Sequence, residues 1–120
     1  MFVKNTKDCP EFRGGDNTRL RELYNNNTSS LPLNHSLAEA VLPAGSKSLK
    51  HKLCSAEIYY ILSGSGIMHI DEEEKEITKN DTIVIPPHSS QFLENTGKED
   101  IRFLCIVEPG WKPEDEQILE

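Results

Sequence analysis

An all-β jelly roll closed by a short C-terminal helix is the fold this sequence predicts, and three observations point to it. Runs rich in β-branched and aromatic residues recur at strand length, most clearly at 57–62 (Glu-Ile-Tyr-Tyr-Ile-Leu) and 82–85 (Thr-Ile-Val-Ile). Turn residues bound both runs: Gly45 and Gly64-Ser65-Gly66 around the first, Asn80-Asp81 and Pro86-Pro87 around the second. Many short strands with almost no helical apolar period is the pattern of a jelly-roll sandwich.

With 120 residues the chain has room for one core. Residues 1–18 read as an N-terminal arm and 19–120 as a single barrel domain. The apolar fraction, 36%, is modest, so the core is narrow or an apolar face is completed by a partner subunit, and a homodimer is expected. Twenty acidic against 13 basic residues give a net charge of -7, a surface that repels phosphate backbones, so nucleic acid is not an expected partner. No apolar run approaches the roughly 20 residues of a membrane-spanning helix, and the N-terminus lacks a signal-peptide core. A membrane partner is therefore not expected, and the expected location is the cytoplasm. Cys9, Cys54 and Cys105 are an odd count without redox or zinc spacing, which predicts reduced thiols.

Taken in order, residues 1–18 carry Pro10, Gly14-Gly15 and polar residues without a period, an arm suited to covering a sheet edge. Residues 19–24 alternate imperfectly and predict an edge strand, followed by a polar loop over 25–30. The stretch 36–42 is apolar on both parities and reads as a strand ended by Pro43-Ala44-Gly45. Residues 48–53 predict the strand that delivers His51, with a bend at 54–56 before Glu57 opens the next. Along 57–62, Glu57, Tyr59 and Ile61 share one face and Ile58, Tyr60 and Leu62 the other, so this strand lies between the barrel interior and another sheet or subunit. Residues 66–70 return antiparallel to an acidic tip at 71–74, whose four like charges read as solvated. Strands 76–78 and 82–85 flank a tight turn at Asn80-Asp81, residues that tolerate positive φ. A strand over 90–94 places Gln91 and Leu93 on one face, and a last strand runs over 101–107. Pro113 followed by acidic residues suits the start of the terminal helix.

Two motifs carry a family resemblance. Gly45, five residues, His51-Lys52-Leu53, three residues, Glu57, six residues and Gly64 resemble the first cupin motif, G-(X)5-H-X-H-(X)3-4-E-(X)6-G, with Leu53 in place of the second histidine. Asn80, five residues, Pro86-Pro87-His88, two residues, Gln91, three residues and Asn95 are similar to the second motif, G-(X)5-P-X-G-(X)2-H-(X)3-N. There the two glycines are Asn80 and His88, and the histidine is Gln91. The resemblance implies a single-domain cupin jelly-roll barrel whose ligand positions fall at His51, Leu53, Glu57 and Gln91.

One imidazole, one carboxylate and one amide carbonyl can hold a divalent ion, so His51, Glu57 and Gln91 are the expected metal ligands, with zinc, nickel, manganese or iron as candidates. Leucine cannot coordinate, and a glutamine carbonyl is a weaker donor than imidazole, so affinity is expected to fall below that of the intact pattern. Glu57 is the expected catalytic group, alternating between ligand and proton acceptor. Leu53, Tyr59 and Leu93 are the expected pocket walls around a small-molecule ligand. His88 reads as an exposed turn residue, His69 as structural, Cys105 as core and Trp111 as a packing lid. The resemblance implies isomerase-like chemistry, mannose-6-phosphate isomerase-like proteins included, or lyase or dioxygenase chemistry. Two alternatives stay open: a non-catalytic ligand-binding module, and a metal-free epimerase- or isomerase-like enzyme using His51 and Glu57 directly.

Overall fold

Along residues 101–108 every second side chain is buried: Ile101, Phe103, Cys105 and Val107 point inward while Arg102, Ile106 and Glu108 are exposed. This two-residue period, the signature of a strand with one face on a core, repeats through the chain and builds a sandwich of two antiparallel sheets. The structure is a computed structural model and describes residues 1–120. The strands are β1 (Glu11–Arg13), β2 (Arg19–Asn25), β3 (Ser36–Leu42), β4 (His51–Leu53), β5 (Ala56–Ser63), β6 (Ser65–Ile70), β7 (Glu73–Thr78), β8 (Thr82–Ile85), β9 (Gln91–Glu94), β10 (Ile101–Glu108) and β11 (Glu116–Ile118). A six-stranded sheet runs β1-β2-β3-β10-β5-β8, and a five-stranded sheet runs β11-β4-β9-β6-β7. This is the all-β jelly-roll class expected.

The core lies between the inner faces and closes one end of the sandwich. Ile61, Ile85, Leu93, Ile101 and Phe103 are each at most 1% exposed. Burial of each contributes roughly 1.5–3 kcal/mol relative to exposure. On the outer face of the larger sheet, Ile58 pairs across the strands with both Val84 and Ile106, leaving a row of apolar side chains facing outward.

Turn chemistry follows the backbone. Asp71 takes positive φ (51°) at the acidic tip, where its Oδ1 accepts from the Ser90 N–H at 2.9 Å, and Glu73 and Glu74 already belong to β7. Asn80 does the same at φ 74°, and Asp81 Oδ2 accepts from the Thr78 N–H at 2.8 Å. His88 occupies the left-handed region at φ 68°, exposed in its turn, at the motif position that is glycine in the resembled pattern. Gly64 has φ 87°, and a Cβ there would lie 2.6 Å from the Asp100 carbonyl oxygen, so glycine is required.

Two segments depart from expectation. The terminal helix is a single 3-10 turn, Pro113–Asp115, after which β11 pairs antiparallel with β4. A helix nucleus is costly, whereas the open edge of β4 offers ladder partners at once. The segment 1–18 holds more structure than an edge cover: β1 pairs with β2, and the loop after it buries Asp16 and Thr18. No helix is long and apolar enough to cross a membrane, and all three cysteines are free.

Candidate functional site

At the end of the sandwich opposite the sealed core, inward alternation turns polar. There β4 begins with His51 and β5 carries Glu57 and Tyr59, and the sheets part around a cavity of about 240 Å3. His51 and Gln91 are directly opposed partners on β4 and β9, so two strands distant in sequence bring them side by side, with Gln91 behind Glu57 and Tyr59. The remaining walls come from the β1–β2 loop, β2, β3, β10, Trp111 and Glu116.

His51 is 3% exposed, and its Nδ1 lies 2.8 Å from the Leu49 carbonyl oxygen. A carbonyl can only accept, so Nδ1 carries a proton and Nε2 is the nitrogen that faces the chamber. Facing it at 3.7 Å is Asp16 Oδ2. The other Asp16 oxygen is tied down by Thr18, which donates from its N–H at 3.2 Å and its hydroxyl at 2.7 Å. Reasoning from sequence missed Asp16. Gly14-Gly15-Asp16-Asn17-Thr18 signals a turn, and its Asp-x-Thr spacing fits the hydrogen bonds just described, but nothing local reveals that the turn folds against His51.

Glu57 is 6% exposed and ends a hydrogen-bonded chain: the Tyr59 hydroxyl donates to Gln91 Oε1 at 2.9 Å, and Gln91 Nε2 donates to Glu57 Oε1 at 3.1 Å. Glu57 Oε2 has no protein partner and opens on the chamber that the residue lines. Burial pushes the Glu57 carboxyl up to about 8; the Gln91 hydrogen bond opposes the shift, and the charges of Asp16 and Glu116 add to it. Burial, then the nearby Glu57, also pushes the Tyr59 phenol well up, and burial followed by Glu57 does the same to the Cys105 thiol, which is thereby kept unreactive.

Of the expected walls, Leu53 and Tyr59 line the chamber, the Tyr59 ring leaning on Phe103 with centroids 4.7 Å apart. Leu93 does not. It shares a face with Gln91 but sits one pleat deeper, 1% exposed within the sealed core, so its role as a pocket wall is corrected to core packing. Trp111 forms part of the mouth, and its Nε1 donates to Glu116 Oε2 at 2.9 Å. Glu116 was missed because its segment reads as helix. His69 lies away from the chamber, stacked on Phe92 at 4.0 Å and hydrogen-bonded to Glu94 at 3.0 Å.

The three expected metal ligands are brought together, but their donor atoms do not suit a resident transition ion. Gln91 would coordinate through its carbonyl oxygen, a weaker donor than imidazole, and that oxygen already accepts from Tyr59 while the non-ligating nitrogen faces Glu57. Leu53 fills the place of a second imidazole, and no three His, Cys, Asp or Glu side chains gather as a metal-binding group.

A profile of the cupin domain matches residues 38–107. An uncharacterised protein of Methanocaldococcus jannaschii is 45% identical over 106 residues, covering 88% of this chain and 84% of that one. The oxalate-binding protein of Thermotoga maritima is 37% identical over 71 residues, 58% of this chain and 59% of its own. Among solved structures, a predicted oxalate decarboxylase of Thermotoga maritima superposes with TM-score 0.79 at 25% identity over 90% of this chain and 99% of that one. The Streptomyces nucleoside dehydratase Pac13 superposes with TM-score 0.78 at 15% identity over 100% of this chain and 92% of that one, a likeness of fold.

Proposed function

We propose, starting from the fact that this chain belongs to the cupin family, that its chamber binds a small metabolite and moves a proton on it, with Glu57 as acid-base group and His51 as its partner. The observation that carries this reading is the Glu57 carboxyl, buried, open to a chamber through one oxygen, and held at about 8. A group that titrates near the working pH gives and takes protons with comparable ease, and such groups contribute about 10²- to 10⁴-fold to rate. His51, with Nδ1 fixed by Leu49, offers Nε2 as the second proton site. Asp16 Oδ2, 3.7 Å away, stabilises the imidazolium that forms when His51 takes a proton. Two such groups on one chamber suit isomerisation, epimerisation or elimination of a small hydroxylated or carbonyl compound. Fold alone does not choose among them.

Cupins commonly bind metal. In this chain the spent Gln91 amide and Leu53 favour the metal-free member of the readings above, so the chemistry is assigned to the side chains themselves. The test is deuterium incorporation or loss of water in a pool of hydroxy and keto metabolites, incubated in D2O with chelator-treated protein and read by mass spectrometry. Turnover that survives chelation and disappears in Glu57→Gln is expected. Turnover lost on chelation and restored by zinc, nickel, manganese or iron would establish the metal-dependent reading instead. Stoichiometric ligand binding without turnover would establish a binding module.

The same reading extends to assembly as a two-fold homodimer through the outer face of the larger sheet. Ile58, Tyr60, Val84 and Ile106 are exposed there, from 36% to 64%, on three adjacent strands. Val84→Lys is expected to lower the mass measured by light scattering from that of two chains to that of one. Three free thiols support a reducing compartment such as the cytoplasm.

A further inference from the structure

We infer that the chamber selects a small molecule with an apolar or aromatic body and an uncharged or cationic hydrogen-bond-donating head, and that it rejects organic anions. The inference rests on the reading above in placing the ligand in this chamber, and not on the proton transfer assigned there.

The walls set the body. Leu53, Phe103, Val107 and Trp111 supply apolar and aromatic surface, and about 240 Å3 leaves room for a single ring with a short substituent, since a 150 Å3 apolar cavity already holds benzene. The polar end sets the head. Four acidic side chains line the chamber, the carboxylates of Asp16, Glu22 and Glu116 and the Glu57 carboxyl, against one guanidinium, Arg13, which is exposed at the rim. Two of these four are occupied, Glu22 by the Asn25 amide at 3.4 Å and Glu116 by the Trp111 indole N–H at 2.9 Å.

What remains at the inner end is the Asp16 carboxylate, with one oxygen free of hydrogen bonds. Asp16 Oδ2 faces His51 Nε2 at 3.7 Å, too far for a hydrogen bond, in a place where the two residues are 9% and 3% exposed. The amide that would supply a donor, Gln91, is engaged at both ends. An ammonium or hydroxyl head brings the missing N–H or O–H groups. A carboxylate head brings further acceptors and a like charge into a poorly solvated site, where both are costly. The chamber's chemistry therefore runs opposite to what a dianion such as oxalate requires.

The experiment uses four probes, benzylamine, benzyl alcohol, benzoate and oxalate, titrated at pH 7 into chelator-treated full-length protein and followed by amide chemical shifts. Benzylamine and benzyl alcohol are expected to shift residues of the chamber and to bind at least about tenfold more tightly than benzoate. Asp16→Asn and, independently, Glu116→Gln are expected to narrow the ratio of benzylamine to benzoate affinity by about threefold or more, in proteins whose remaining spectrum is unchanged. Benzoate or oxalate binding as tightly as benzylamine overturns the inference, as does failure of both donor-headed probes to shift any chamber residue. Glu57→Gln separates this outcome from the proposed function: it removes the acid-base group and leaves Asp16 and Glu116, whose charges set the preference, in place, so loss of turnover leaves the preference for benzylamine over benzoate standing.

Discussion

On β5 the inward side chains run Glu57, Tyr59, Ile61, and on β9 they run Gln91, Leu93; within two residues each strand passes from a polar chamber to a sealed core. Both ends have the same backbone, the same facing and nearly complete burial. They differ in what surrounds the side chain. At the sealed end, Ile61 and Leu93 meet other aliphatic groups and hold the sheets together. At the open end, Glu57 and Gln91 are desolvated among polar atoms, and burial there changes chemistry more than it adds stability. Position along a strand thus decides whether an inward residue is structural or reactive, and parity alone does not.

The contrast is tested most forcefully by a pair of substitutions. Glu57→Gln is expected to reduce turnover about 10²- to 10⁴-fold while leaving the fold intact, as read by steady-state kinetics beside thermal melting. Leu93→Ala is expected to do the reverse, costing about 2–5 kcal/mol in denaturant unfolding with ligand affinity kept within about twofold. A Leu93→Ala protein that is stable but loses ligand would return that residue to the chamber.

The two ends also differ in how stability responds to pH. Below about 4.5 the Glu57 carboxyl is protonated in both folded and unfolded chains and carries no penalty. Between there and about 8 the unfolded chain has released the proton while the folded one keeps it, so stability falls as pH rises. Above about 8 the loss is complete, on the order of a few kcal/mol. Urea unfolding across this range is expected to show the decline in the native protein and to lack Glu57's share of it in Glu57→Gln. A smaller effect follows from Gln91→Leu, which removes the hydrogen bond that holds the Glu57 pKa down and leaves the Tyr59 hydroxyl unpartnered. The Glu57 midpoint should move further up, and unfolding should show a cost of about 1–3 kcal/mol.

Much of this arrangement can be read before any coordinates. Strands such as 57–62 and 82–85 follow from their residue types, and the motif spacing anticipates that Gln91 neighbours both His51 and Glu57. What is illegible comes from longer range or from depth. Asp16 and Glu116 reach the chamber from segments far from either motif, one by a turn that resembles any surface turn, the other by a terminal strand whose partner edge exists only after folding. Leu93 is misplaced because alternation reports facing and is silent on distance from the mouth. The engagement of Gln91 with Tyr59 depends on two side chains that the sequence separates by 31 intervening residues.

The most direct measurement is the titration of the Glu57 carboxyl by carbon-13 NMR in chelator-treated protein, assigned by comparison with Glu57→Gln. A midpoint near 8 is expected. A midpoint near the ordinary 4.5 would mean that the carboxyl is ionised at neutral pH, and would contradict its assignment as the proton-transfer group of the chamber.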